Sequence, residues 1–79
     1  MLNMEQLGQK LKQLREGHGW GQSECARQVG MDRATYVRLE QGRKPRVEGE
    51  TIVRLCHALG CTSDYLLGLS GEADAEDAA

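Results

Sequence analysis

The sequence of 79 residues lacks phenylalanine and holds one tryptophan, two tyrosines and a single proline. With so few aromatic rings, the core has to come from several short amphipathic helices, and one proline leaves little to interrupt them. The cysteines are too few, and odd in number, for a disulfide framework: Cys25, Cys56 and Cys61. The composition therefore predicts a small, all-α domain of a reducing compartment.

Long apolar runs are also missing from the chain. The longest apolar stretch is about three residues, against the roughly 20 that a transmembrane helix needs. Glu5 and Gln6 follow Met4 directly, where a signal peptide would carry its apolar segment. We therefore expect a cytoplasmic protein.

The net charge of −2 hides a strong separation of charge along the chain. All ten basic residues lie between Lys10 and Arg54, and the last eight residues hold four acids: Glu72, Asp74, Glu76 and Asp77. Without these acids the rest of the chain carries +2, and residues 33–46 alone carry +4. Because a charge acts over about a Debye length, roughly 10 Å, a basic face is available despite the acidic total.

Apolar residues recur with helical spacing, and glycines follow each apolar segment. This pattern predicts helices over residues 4–17, 22–29, 33–41 and 49–59, and a short fifth helix that contains Tyr65, Leu66 and Leu67. Gly30 ends the second helix and Asp32 is a good N-cap for the third, so a turn of about three residues joins them. Two short helices joined in this way form a helix-turn-helix. We expect one domain over residues 1–70 and an acidic, disordered tail over residues 71–79.

Ordered motifs over residues 7–69 carry a family resemblance. They are Leu7-Gly8, Leu11 and Leu14-Arg15, then Gln22-Ser23-Glu24-Cys25-Ala26 and Val29-Gly30, then every residue from Asp32 to Gly42, and finally Leu55-Cys56-His57-Ala58-Leu59-Gly60 and Asp64-Tyr65-Leu66-Leu67-Gly68. In this order and spacing the chain resembles the phage repressor/Cro (XRE-type) helix-turn-helix family. The resemblance implies a compact five-helix, lambda-repressor-like DNA-binding domain whose second and third helices form the helix-turn-helix.

The chain departs from the usual pattern of that family at three places. Cys25 stands where the family usually has leucine, and Gly21 stands at a position usually held by a serine-like N-cap. The linker after Gly42 is a couple of residues longer than the commonest pattern. This last difference leaves open the path of the basic linker along DNA.

The resemblance assigns base contacts to Arg33, Ala34 and Arg38, at the start of the third helix and one turn along it. An arginine can bond guanine O6 and N7 together, so we expect a half-site that contains guanine. The alternative is that both arginines are ordinary exposed residues of the helix surface, which contact only water. The predicted contacts to the DNA backbone are Gln22, Thr35, Arg43, Lys44 and Arg46.

Other polar residues have structural interpretations. Arg15 and Glu40 match the family's internal ion pair, which would fix the angle of the recognition helix. Trp20 is predicted to fill the core at a turn, and His18 to lie beside a helix C-terminus. Cys56, His57 and Cys61 suggest a metal site, but a closed zinc site needs about four converging ligands, so we expect no metal.

The resemblance implies a transcriptional regulator, a repressor of Cro/C1 type, that binds a pseudo-palindromic operator in double-stranded DNA as a homodimer. The predicted dimer surface is Leu66, Leu67 and Leu69. The alternative is an antitoxin or another adaptor of the same fold, whose main partner is a protein such as a toxin or a polymerase and for which DNA is secondary. Neither interpretation needs an enzymatic activity, a cofactor or a membrane; DNA binding would place the protein on the nucleoid.

Overall fold

The computed structural model describes residues 3–69, and within them it contains five α-helices and no strand. The helices are α1 (Met4–Gly17), α2 (Gln22–Val29), α3 (Arg33–Glu40), α4 (Gly49–Leu59) and α5 (Ser63–Leu67). The prediction of an all-α, five-helix domain is confirmed. Only α3 differs in length from its prediction, because it ends at Glu40, one residue early. The predicted tail, residues 71–79, lies outside the described residues.

All five helices end in the same backbone motif. At the end of α2, Gly30 has a φ of 90°, and the N–H of Met31 donates to the carbonyl of Ala26 at 3.0 Å. A residue with a Cβ is strained at this φ, so the motif requires glycine. The glycines at the other four ends are Gly19, Gly42, Gly60 and Gly68. Short helices are thereby stopped at fixed residues, which sets where α3 begins.

One buried cluster holds the helices together. It consists of Leu7, Leu11, Cys25, Ala26, Val29, Tyr36, Leu39, Ile52, Leu55, Cys56, Leu59 and Leu66. Around it α1 packs against α3 and α5, α2 against α3 and α4, and α4 against α5. Because α1 and α2 pack against the inner side of α3, the other side of α3 faces solvent. No helix within residues 3–69 is both long and apolar enough to cross a membrane.

Candidate nucleic-acid interface

The exposed side of α3 carries the residues predicted to contact bases. Arg33, Ala34 and Arg38 are exposed, whereas Tyr36 is 0% and Leu39 is 1% exposed. Successive residues of a helix are separated by about 100° around its axis. The three exposed residues therefore fall on the side opposite the two buried ones. Burial of Tyr36 and Leu39 therefore fixes which side of α3 faces outward.

The two arginines of this side are not engaged by the rest of the described fold. The ion pairs within residues 3–69 involve Arg15, Arg27 and Arg54, and no hydrogen bond of the Arg33 or Arg38 side chain is formed there. A guanidinium without an internal partner presents its planar set of donors to solvent. Such a group can bond a guanine edge or a phosphate with two parallel hydrogen bonds.

The turn before α3 is fixed by Asp32 and Thr35. The backbone N–H of Thr35 donates to Asp32 Oδ2 at 3.0 Å, and the Thr35 hydroxyl donates to Oδ1 at 2.8 Å. These hydrogen bonds from Thr35 lower the pKa of the Asp32 carboxyl. Because a phosphate diester accepts but does not donate, the predicted contact from Thr35 to DNA requires its hydroxyl to turn away from Asp32.

Glu40, at the other end of α3, receives hydrogen bonds from three helices. Arg15 donates through Nε at 2.5 Å and Nη2 at 3.3 Å, and Gln22 donates through Nε2 at 3.2 Å. The Tyr36 hydroxyl donates to the same carboxylate. We call these four side chains the Glu40 cluster. The ion pair between Arg15 and Glu40 is therefore present, and it belongs to a network that joins α1, α2 and α3.

The Glu40 cluster is largely shielded from water, with the Arg15 side chain 11% and the Glu40 side chain 4% exposed. Burial alone would raise the pKa of Glu40, but the hydrogen bonds from Arg15, Tyr36 and Gln22 outweigh it and the pKa lies below its ordinary value. The bond to Glu40 raises the pKa of Arg15, and burial raises that of Tyr36. The cluster therefore holds an ionised carboxylate at the end of α3.

The N-terminus of α2 lies next to this cluster. Gln22 directs its side-chain nitrogen to Glu40, so part of its donor capacity is used within the protein. Gly21, the N-cap, makes no side-chain capping bond. The first backbone N–H groups of α2 and the positive end of its dipole are therefore available to an anion such as a phosphate.

The linker between α3 and α4 covers a groove, which we call the α3–α4 groove. It has a volume of about 320 Å³ and is lined by Met31, Thr35, Leu39, Lys44, Pro45, Arg46, Val47, Glu48, Thr51 and Arg54. Lys44 is half-buried, and Arg43 and Arg46 are exposed. The structure thus brings Thr35, Lys44 and Arg46 together, while Arg43 follows the end of α3.

Three polar residues that line this groove carry no prediction from the sequence: Glu48, Thr51 and Arg54. Arg54 bonds Glu50 at 3.1 Å, four residues earlier on α4, which is the usual pattern of a solvated helix surface. Only the position of α4 beside the linker brings Arg54 to the groove. No local signal in the sequence indicates this.

The predicted dimer surface needs a correction at Leu66. Leu66 is 1% exposed and belongs to the core, whereas Leu67 is half-buried and Leu69 is 69% exposed. Because α5 packs against both α1 and α4, Leu66 is enclosed between them, and Tyr65 and Leu67 on either side of it are partly buried against the same core. The apolar surface at this end of the molecule therefore consists of Leu69 with part of Leu67.

Of the three residues considered for a metal site, Cys56 and Cys61 bring their thiols into contact with each other. Cys56 is buried and Cys61 half-buried, and burial raises the pKa of both thiols, to about 12 for Cys61. His57 is exposed on α4. No group of three or more His, Cys, Asp or Glu side chains suited to a metal ion occurs within residues 3–69.

His18 and Trp20 form a contact that the sequence did not predict. Their rings stack with centroids 4.4 Å apart, and His18 Nε2 lies 2.9 Å from the carbonyl oxygen of Leu59. Trp20 is half-buried against the core, near its predicted place. The pair ties the turn after α1 to the end of α4.

Comparison with known families agrees with this geometry. The sequence model of a family described as a helix-turn-helix domain matches residues 6–73. No curated protein matches the chain. The matched range contains α2, the Gly30 turn and α3, which have the arrangement of a helix-turn-helix. The chain belongs to the helix-turn-helix domain family.

Proposed function

We propose that this protein is a transcriptional regulator, a repressor of the phage repressor/Cro type, that reads a pseudo-palindromic operator through the major groove as a homodimer. The observation that carries the proposal is the exposed side of α3, where Arg33 and Arg38 have no partner within residues 3–69. A helix with two unengaged arginines on one side suits the major groove, which is wide enough to admit it.

In this proposal Arg33 and Arg38 each bond the O6 and N7 atoms of a guanine. Ala34 lies between them on the same side of α3, where its methyl group can contact a thymine methyl and its small size permits close approach. These three residues determine the sequence of the half-site.

The contacts to phosphates come from residues around α3. The uncapped N-terminus of α2 supports a phosphate contact at Gln22, and the exposure of the linker supports contacts from Arg43, Lys44 and Arg46. Thr35 joins them once its hydroxyl leaves Asp32. These contacts set affinity and position on the duplex, and they weaken as salt concentration rises.

The proposal includes a dimer because the recognition helix is short. One recognition helix covers only a few base pairs, so two copies about 34 Å apart are needed for useful specificity. The exposed side chain of Leu69, with the accessible part of Leu67, supplies an apolar patch at which a second copy can bind.

Selection of bound DNA from a pool of random duplexes tests the proposal. We expect an enriched motif with two inverted half-sites, each containing guanine, about one helical turn or a multiple of it apart. The variant that combines Arg33→Ala and Arg38→Ala should lose the enrichment.

Lys12→Ala is the matched control, because Lys12 is an exposed cation of α1 to which the proposal assigns no contact with DNA. This variant should select the same motif as the unmodified chain. If the unmodified chain enriches no motif, the regulator proposal is wrong, and a protein-binding adaptor of the same fold takes its place.

A further inference from the structure

The α3–α4 groove has the chemistry of an anion-binding surface. Its rim carries three cations, Lys44, Arg46 and Arg54, with one carboxylate, that of Glu48. The Lys44 and Arg46 side chains have no ion-pair partner within residues 3–69, and Arg54 shares its charge with the exposed carboxylate of Glu50. The groove therefore keeps an excess of positive charge that the described fold does not neutralise.

The rest of the groove suits a peptide with small side chains. Thr35 and Thr51 line it, with the Thr35 hydroxyl donating to Asp32. Its apolar lining, which we call the floor, consists of Met31, Leu39 and Val47. Hydroxyl and cationic groups bond carboxylates, while an apolar floor accepts methyl groups. A chain that alternates acids with alanines would satisfy both.

The same polypeptide contains such a segment at residues 72–77, with the sequence Glu-Ala-Asp-Ala-Glu-Asp. No basic residue occurs after Arg54, so nothing nearby in the sequence neutralises these acids. The segment carries four negative charges in six residues, and the proposed DNA interface carries the complementary sign.

The end of α5 lies near the start of the linker that borders the groove. Leu67 and Gly68 line a cleft with Asn3 and Gln6 at the start of α1. Gly42, two residues before Lys44, approaches the backbone of Glu5 at the same end of α1. The segment begins three residues after Leu69 and ends eight residues after it, so its two ends reach at most about 10–11 Å and about 26–29 Å from Leu69. Arg54 at the groove is five residues from the end of α4, about 7.5 Å along the helix axis, and α5 packs against α4.

We propose that residues 72–77 occupy the α3–α4 groove of their own chain when DNA is absent and compete with the DNA backbone for it. The inference rests on the proposed function, because Thr35, Lys44 and Arg46 are also the proposed phosphate contacts. A tether of this length gives an effective concentration in the millimolar range, so even a weak ionic contact is occupied much of the time.

Occupancy by the acidic segment lowers the apparent affinity for DNA by the fraction of molecules whose groove is free. The same factor applies to the operator and to other DNA, because the groove residues contact phosphates in both complexes. The segment thereby weakens binding to DNA of any sequence and lowers the amount of protein held on DNA.

The first test compares amide chemical shifts of the full chain, without DNA, with those of a variant in which Glu72→Gln, Asp74→Asn, Glu76→Gln and Asp77→Asn are combined. This variant keeps the chain length and removes only the charges. We expect shift differences at the groove, in residues 31–35 and 44–54, that disappear in about 0.5 M salt because exposed charges are then screened. Differences confined to residues 70–79 would overturn the proposal.

Two further variants identify the site of contact. The combined change Lys44→Gln and Arg46→Gln should abolish the shifts that depend on the acidic segment. Lys12→Gln, which removes an exposed cation of α1, should leave them intact. If both variants lose these shift differences equally, the segment responds to net charge alone, and binding in the groove is contradicted.

A dilution series separates the chain's own segment from that of a second copy. Shifts that stay constant between 20 µM and 500 µM protein, roughly the range accessible to the method, fit the proposal, since a tethered contact does not depend on concentration. Shifts that grow with concentration would overturn it in favour of contact between copies.

The second test measures binding to a random-sequence 20-bp duplex in low salt. We expect the charge-neutralised variant to bind about fivefold to tenfold more tightly than the unmodified chain. This ratio corresponds to a groove that is occupied by the acidic segment in roughly 80–90% of the unmodified molecules. Equal affinities would overturn the competition. If neither chain binds DNA, the proposed function fails, while the chemical shifts still decide whether the segment lies in the groove.

Discussion

Gly8 of α1 lies directly against the backbone of Glu40 in α3. A Cβ at Gly8 would be 2.3 Å from the Glu40 carbonyl oxygen and 2.7 Å from its carbonyl carbon. Because neither atom belongs to a flexible side chain, the two helices would have to separate. We expect Gly8→Ala to lower the free energy of unfolding by about 1–3 kcal/mol, the usual cost of overpacking, as measured by urea denaturation.

Gly17→Ala is the matched control for this prediction. Gly17 is also in α1, but a Cβ there meets no atom within 4 Å and its φ is not positive. Alanine favours helix more than glycine does, so this change should leave stability equal or slightly higher. Equal stability of both variants would show that α1 and α3 are not in close contact at Gly8.

Removal of the Glu40 side chain should destabilise the fold strongly. Glu40→Ala leaves the Arg15 guanidinium shielded from water without its carboxylate, and it also removes the acceptor of Gln22 and Tyr36. We expect a loss of about 3 kcal/mol, the lower end for breaking a buried pair, because Arg15 keeps its bond to the carbonyl of Trp20.

Glu24→Ala breaks an exposed ion pair with Arg27 and serves as the comparison. Exposed pairs add little to stability, so this variant should unfold close to the unmodified chain. A loss in Glu40→Ala no larger than that in Glu24→Ala would contradict a structural role for the Glu40 cluster.

The Glu40 cluster also predicts how stability depends on pH. The pKa of Glu40 in the folded state lies below its ordinary value of 4.5, so the folded state favours the ionised carboxylate. Its contribution is fully present above the unfolded-state pKa and is lost as pH falls through the lower, folded-state pKa. Urea midpoints between pH 7 and pH 3, roughly, should fall more steeply for the unmodified chain than for Glu40→Gln. Parallel curves would exclude this titration as a source of acid sensitivity.

The exposed leucine after α5 is the proposed contact between copies. Leu69→Asp places a charge on a side chain that is 69% exposed, so folding should be unaffected while association weakens. Sedimentation should show more monomer in this variant than in the unmodified chain. Val53→Asp, on α4, is the control, since Val53 is 51% exposed but lies outside the proposed dimer surface. If only Val53→Asp dissociates the dimer, the dimer forms through α4.

The helices could be predicted from the sequence because each depends on local chemistry. Glycine at Gly30 and a polar cap at Asp32 set backbone conformation within a few residues, and the structure has both signals at the predicted places. The exposed side of α3 was also predictable, because Tyr36 and Leu39 are its most apolar large residues and occupy one side.

Features that depend on the meeting of distant segments were not predictable. Gln22 joins Glu40 only once α2 packs against α3, and Arg54 reaches the groove only through the position of α4. Leu66 was assigned to the surface because a five-residue helix is too short for its spacing to identify a buried side.

The most direct test replaces single guanines of the selected operator half-site by 7-deazaguanine, which lacks the N7 acceptor. If Arg38 or Arg33 bonds that base, the unmodified chain should lose roughly 1 kcal/mol or more of binding free energy. The matching arginine-to-alanine variant, already without that bond, should lose almost nothing further. Equal losses in the unmodified chain and in both arginine variants would contradict base reading by α3.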